Sequence, residues 1–258
     1  MTTGGPLSVI RTFLLAWHFL TAIPLNRRHH DPEPGELARS MIWYPLIGLI
    51  LGGLLAASDV VLSLILPLHV VNVVLIVILV ALTRGLHQDG LADTLDGLAG
   101  GRTPAKRLAI MRDPRIGAIG ATGLFLALGL RYAGLQALPS ERLTMLLCMP
   151  AVGRWAMVIG SFSAPYARAE GGLAQEFIRH LSFSSVLVAT ILLAGALLGL
   201  LGPLGAAVVL CSGGVAARTM TAVSVRWFGG ITGDTLGATN EIVEIVWLLA
   251  GPALLGLR

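Results

Sequence analysis

VVNVVLIVILV (Val70–Val80) and LLAGALLGLLG (Leu192–Gly202) are unbroken apolar runs without every-other-residue alternation. That pattern excludes the strands of a membrane β-barrel and selects helices, because backbone groups in lipid must be satisfied within the segment. Similar runs recur along the chain: Leu7–Leu25, Met41–Leu66, Val70–Leu82, Ile116–Leu138, Leu143–Ser161, Val186–Leu201, Ala206–Val225 and Ile242–Leu257. Several approach the ~20 residues needed to cross a bilayer. The expectation is an all-α, polytopic helical membrane protein with about seven to eight hydrophobic helices. The first segment, weakened by Arg11 and His18, is expected either to span or to lie in the interface.

Composition agrees. Of 258 residues, 55% are apolar and only 12% are charged, about half the charge of an ordinary soluble protein. Mean hydropathy is +0.82. No internal repeat divides the chain, so residues 1–258 read as one membrane-embedded domain. The net charge of +4 fits basic loops facing a lipid bilayer better than nucleic acid, which is not an expected partner. Cys148 and Cys211 read as buried helix residues. The opening MTTGGPLSVIRTFLL has no Lys/Arg-rich start and no clear small-residue cleavage site, and does not read as a signal peptide.

Four polar stretches interrupt the apolar ones: Asn26–Ser40, Arg84–Arg115, Ser163–Ser182 and Arg226–Glu244. The basic residues Arg84, Arg102, Lys106, Arg107, Arg112 and Arg115 mark the second as cytoplasmic. Alternating crossings then bring Ser163–Ser182 and Arg226–Glu244 to the same face. Leu66-Pro67 and Gly202-Pro203 read as tight turns between paired helices.

The chain has fourteen acids. Half of them, Asp89, Asp93, Asp96, Asp113, Asp234, Glu241 and Glu244, fall in two of these connections. In HQDGLADTLDGLAGG (His87–Gly101), Asp89, Asp93 and Asp96 are spaced i, i+4, i+7 and fall within about 60° on a helix. Two carboxylates ~6 Å apart at an effective dielectric of about 20 repel by roughly 3 kcal/mol. Protonation or a cation would relieve three such charges on one stripe. Oxygen ligands without cysteine or clustered histidine favour Mg²⁺ or Mn²⁺. A solvated acidic face is the ordinary reading of such acids, but this segment is otherwise Leu, Gly and Ala. Gly90 and Gly97 read as leaving room for a bulky ligand.

AIMRDPRIGAIGA (Ala109–Ala121) places Arg112 and Arg115 around Asp113, with Gly117 and Gly120 opening an apolar helix. Guanidinium groups suit phosphate oxygens, and a glycine-rich helix start offers N–H groups to an anion. In FGGITGDTLGATNEIVEIVW (Phe228–Trp247), Asp234 lies in a polar loop, and Glu241 and Glu244 start the last apolar segment. Deep arginines need an interior partner or cavity, which makes Arg154 and Arg218 candidates for a phosphate pocket. Arg84 and Asn240 join Arg112, Asp113 and Arg115 as candidate substrate contacts. Asp89, Asp93 and Asp96 are the candidate metal ligands. Asp234, Glu241, Glu244 and His87, the histidine beside the acids, are the candidate catalytic groups. Acids, a divalent cation and arginines at a membrane surface suit phosphoryl transfer, by a Mg²⁺-dependent transferase acting on a diphosphate-bearing substrate.

RGLHQDGLADTLDGL (Arg84–Leu98), MRDPRIGAIG (Met111–Gly120) and GGITGDTLGATNEIVE (Gly229–Glu244), preceded by FLTAIPL (Phe19–Leu25), resemble the cobalamin synthase family, the adenosylcobinamide-GDP ribazoletransferases. The resemblance runs in order over nearly the whole chain. It implies a Mg²⁺-dependent enzyme of the cell inner membrane, with its site on the cytoplasmic face. The implied substrates are adenosylcobinamide-GDP and α-ribazole or its 5′-phosphate, giving adenosylcobalamin or its 5′-phosphate and GMP. A homo-oligomer is a further possible partner state. The D-G-x-x-D-x-x-D-G spelling is also similar to CDP-alcohol phosphotransferases, but Asp93 stands where their Ala-Arg pair would begin and their final D-x-x-x-D is missing. A transporter would carry its acids near mid-membrane.

Overall fold

The computed structural model describes residues 6–25, 32, 33, 35–138 and 141–256. Much of the Asn26–Ser40 connection and the final Leu257 of the last apolar run lie outside the described residues. The elements are α1 (Pro6–Leu20), α2 (Glu36–Ser40), a 3-10 turn (Met41–Trp43), α3 (Tyr44–Leu62), α4 (Leu68–Thr83), α5 (Leu86–Gly100), α6 (Pro104–Ile110), α7 (Ala118–Gln136), α8 (Arg142–Ser161), α9 (Leu173–Arg179), α10 (Phe183–Phe228) and α11 (Gly233–Leu254). Among the described residues there is no strand, and the chain is an all-α polytopic membrane protein.

Four helical stretches are long and apolar enough to cross a membrane: 36–62, 118–136, 142–161 and 183–228. A fifth span results if α4 and α5, bent by 89°, count together. This number differs from the count of apolar runs for local reasons. With 15 residues, α1 is short of the ~20 that a crossing needs. The expected helices Val186–Leu201 and Ala206–Val225 form one stretch, α10, broken only at Gly202, where φ is 70° and ψ is 179°. A left-handed φ favours glycine, and Pro203 has no N–H to continue the ladder. The two limbs reverse direction there. Thr190 accepts a hydrogen bond from Trp155 Nε1 at 3.0 Å, and Gly213 packs on the same indole. Phe183 lies 6.1 Å from the Phe162 ring, while Arg218 donates to the Phe162 carbonyl at 3.1 Å. No straight helix meets α8 at both pairs of points.

The centre of the molecule is α8, 78% of whose apolar window is buried by its neighbours α3, α10 and α11. On α3, Gly48 and Gly52 stand one turn apart, and a Cβ on either would run into the backbone of Leu147–Ala151. Small residues in this register bring membrane helices together by close packing where no hydrophobic drive is available. Around Met149, Val152 and Trp155 gather Leu193, Leu197, Val209, Val243 and Trp247. Cys148 is buried as expected, but Cys211 is exposed. It lies on the outward side of the second limb of α10, where an apolar residue needs no protein cover.

Polar groups collect at the two ends of the bundle. At one, Arg142 donates to Asp59 (2.8 Å) and Asn72 (2.6 Å), and Asn72 donates to Gln136 (2.8 Å). The other end gathers three of the polar connections through ion pairs Arg112–Glu170 and Arg168–Asp234. Alternating crossings therefore bring Arg84–Arg115, Ser163–Ser182 and Arg226–Glu244 together. The Arg84–Arg115 connection is itself mostly helical, containing α5 and α6.

Candidate active site

The motif end begins where α4 stops. Arg84 and Gly85 both take left-handed φ, 55° and 66°, a common helix stop. The chain then turns across the end of α4 into α5. There Asp89 is exposed, while Asp93 and Asp96 are half-buried. Where α5 crosses the start of α11, a Cβ on Gly90 would come within 2.7 Å of the Asp234 carbonyl oxygen. At Gly97 a Cβ would meet Met111 and the Arg107 carbonyl. Both glycines thus admit neighbouring chain, which corrects the reading that they leave space for a ligand.

This crossing sets acids from distant motifs against one another. Burial, then the negative charges of Asp89, Asp234 and Asp96, push Asp93 up to about 7. Asp234 is raised too, mainly by burial, although Arg168 donates to its Oδ2 at 2.7 Å and opposes the shift. Asp234 does not cap its helix. Thr232 does: its hydroxyl accepts from Thr235 N (3.2 Å), and Thr235 Oγ1 accepts from Thr232 N (2.9 Å), a reciprocal cap.

Asp96 is differently engaged. Its two carboxylate oxygens accept from Gly117 N and Gly120 N, each at 2.7 Å. The anion at the glycine-rich start of α7 is therefore the chain's own carboxylate. Beyond it a groove of about 660 Å³ is lined by Asp96, Lys106, Ile110, Asp113, Arg115 and Ile119. Arg115, 85% exposed, grips Asp113 through two hydrogen bonds of 2.9 and 2.7 Å and holds that carboxyl down at about 2. Arg112 pairs with Glu170 across the end of the bundle.

Below this layer lies a sealed one. Glu241 and Glu244 do not start a helix as the sequence suggested; α11 begins at Gly233, and both are buried inside it, 2% and 0% exposed. Arg131 of α7 donates to Glu244 at 2.6 Å and to Glu241 at 2.8 Å. Arg154 of α8 also pairs with Glu244, and its Nη2 donates to His87 Nδ1 at 3.4 Å. Asn240 donates to Glu244 (3.1 Å), and Gln88 donates to Glu241 (3.0 Å). Two guanidiniums balance two carboxylates. Such pairing is what a buried charge requires.

The structure thus brings Asp89, Asp93 and Asp234 together at the surface. It places His87, Arg154, Asn240, Glu241 and Glu244 in the layer beneath. Two candidates stand apart. Arg84 is exposed and donates to the His18 carbonyl at 2.9 Å. Arg218 binds the Phe162 carbonyl beside a groove with Cys211 and Val215; neither reaches the acids. Sequence reasoning left Arg131 outside the site, although it noted the cost of a deep arginine. It missed Arg168 and Glu170 altogether. The only signal for these two is RAEGG (Arg168–Gly172), a charged pair beside glycines in a charge-poor chain.

Among the described residues, no three His, Cys, Asp or Glu side chains are already drawn together as a metal cage. The donor set nonetheless fits Mg²⁺, which commonly takes one or two carboxylates and completes its shell with waters and substrate phosphates. Asp89 and Asp93 have no cationic partner among the described ion pairs.

Comparison with known proteins shows the family. The Cobalamin-5-phosphate synthase family model matches residues 12–251. An adenosylcobinamide-GDP ribazoletransferase of Syntrophobacter fumaroxidans is 42% identical over 221 residues, covering 84% of this chain and 88% of its own. That of Geotalea daltonii is 40% identical over 248 residues, covering 93% and 96%, and that of Desulforamulus reducens is 37% identical over 236 residues, covering 91% and 93%. No solved structure matches the chain. With three motifs meeting at one end of the bundle and relatives aligned along almost its full length, the chain belongs to the cobalamin-5-phosphate synthase family of enzymes.

Proposed function

We propose that this enzyme transfers the cobinamide phosphate of adenosylcobinamide-GDP to α-ribazole or its 5′-phosphate. The products would be adenosylcobalamin or its 5′-phosphate and GMP, made at the cytoplasmic face of the inner membrane. The observation that carries the reading is the meeting of Asp89 and Asp93 with Asp234, brought from opposite halves of the chain and left short of positive charge.

Asp89 and Asp93 would hold Mg²⁺ against the diphosphate. Bound there, the ion would neutralise charge on the phosphate oxygens. A ribose hydroxyl of the ribazole attacks the phosphorus nearest cobinamide, and the bond to the GMP oxygen breaks. Asp234 accepts the hydroxyl proton, a task suited to a carboxylate whose burial raises its basicity. Arg112 and Arg115 would offer guanidinium donors to phosphate oxygens. Asp96 fixes the start of α7 and so the position of the Arg112–Arg115 segment. The buried Arg131, Arg154, Glu241 and Glu244 hold α11 against α5, α7 and α8, which sets where Asp234 stands.

The test is release of GMP by purified protein. Release from adenosylcobinamide-GDP that requires both α-ribazole and Mg²⁺ is expected. Release only from a cytidine diphosphate substrate, or none at all, would overturn the proposal.

A further inference from the structure

We propose that Arg168 is a binding residue for the substrate diphosphate, and that the carboxylate of Asp234, with which it pairs, stands where a phosphate would bind. The inference rests on the reaction proposed above and names a group that none of its motifs contains.

Arg168 belongs to the connection between α8 and α9. Its position is fixed by backbone, not by its own ion pair. Ile231 N donates to the Pro165 carbonyl at 2.8 Å, and Ala167 N donates to the Ile231 carbonyl at 3.0 Å, forming a short parallel bridge at Tyr166 and Ile231. At Gly230 a Cβ would lie 2.5 Å from the Pro165 carbonyl oxygen, so glycine is needed there for the two segments to meet. Arg168 is thereby carried to the mouth of the acid cluster. Among the described residues, it is the one cation paired with an acid of the set Asp89, Asp93, Asp96 and Asp234.

Its bonding there is incomplete. Nη2 donates to Asp234 Oδ2 at 2.7 Å, while Nε is buried and has no partner. A guanidinium has five N–H donors arranged to grip two oxygens of one phosphate in parallel. The present contact leaves most of that capacity unused. The same connection carries Glu170, which pairs with Arg112 of the second motif. Residues 163–172 thus bridge the second and third motifs and face the first.

The consequence is an exchange. When a diphosphate enters, Arg168 moves its hydrogen bonds from Asp234 to phosphate oxygens. The guanidinium stays cationic and no covalent bond changes. Asp234 is left as a free carboxylate, ready to accept the hydroxyl proton. Binding of the donor substrate and release of the base then become one event.

Binding of inorganic pyrophosphate to purified full-length protein in detergent tests this, with Mg²⁺ and with chelator. With Mg²⁺, Arg168→Ala is expected to weaken binding tenfold or more, and Arg168→Lys to recover part of the loss. Arg102→Ala, an exposed arginine outside the site, is expected to bind as the parent does. Without metal, Asp234→Asn is expected to tighten binding several-fold, because the internal competitor is gone, and the gain should vanish in the Arg168→Ala, Asp234→Asn double variant. A purely structural ion pair would leave Asp234→Asn no tighter than the parent. That outcome, or an Arg168→Lys protein that stays folded by size exclusion while Arg168→Ala binds within twofold of the parent, overturns the inference. If the parent binds pyrophosphate in this pattern yet releases no GMP, the reaction assignment fails and Arg168 keeps its role. If the parent turns over and both Arg168 variants match it, Arg168 alone is wrong.

Discussion

Two sets of carboxylates share one end of this molecule under opposite conditions. Glu241 and Glu244 are sealed from solvent and fully paired with Arg131 and Arg154. Asp89 and Asp93 reach the surface, crowd Asp234, and have no cationic partner among the described ion pairs. The difference separates stability from chemistry. A buried network whose charges balance holds helices in register. An unbalanced surface cluster costs folding energy and is relieved by a cation.

The largest effect should come from breaking the inner set. Glu244→Ala leaves two buried guanidiniums facing one carboxylate and should cost about 3–5 kcal/mol. It would be read as a fall in unfolding temperature that added Mg²⁺ does not restore.

The outer set should respond in the reverse sense. Asp93→Asn removes like-charge repulsion, so its unfolding temperature should equal or exceed the parent's, while turnover falls about a hundredfold or more. A parallel loss of stability would merge the two sets into one. The pH dependence sharpens this point. With Asp93 raised to about 7, the folded, metal-free chain retains a proton that the unfolded chain has already released above the ordinary carboxylate range. Stability of the metal-free protein should therefore fall as pH rises to about 7 and flatten beyond it. Asp93→Asn should make that slope shallower in a series of thermal melts, leaving the part that the raised Asp234 contributes.

Asp96 lies between the sets, and its variants decide which it joins. As a cap on α7, its loss in Asp96→Ala should cost about 1–2 kcal/mol, with turnover reduced less than in Asp93→Asn. A fall in turnover as deep as that of Asp93→Asn would return it to the metal ligands. The smallest effect is expected at the exposed Asp113–Arg115 pair, where Asp113→Asn should leave the unfolding temperature unchanged.

Much of this division was visible in the residues. The scarcity of acids pointed to Asp89, Asp93 and Asp234, and the spacing of Asp89 and Asp93 placed them on one helical face. Spacing also put Glu241 and Glu244 on one face, but it did not say what lay opposite. Their partners sit on α7 and α8, more than a hundred positions away for Arg131. Asp96 looked equivalent to its neighbours because an i, i+7 interval carries no information about the amide groups of Gly117 and Gly120. Arg168 had no motif around it, since its place is set by backbone contacts with residues 230 and 231.

The amino-acid order alone determined an all-helical membrane chain, the turn at Gly202-Pro203, and the gathering of the motif-bearing connections at one end. Those properties follow from local hydropathy and from each segment's need to satisfy its own backbone. Which carboxylates are neutralised and which remain open was decided only when the helices packed, because electrostatic pairing acts through space between residues that the chain holds far apart.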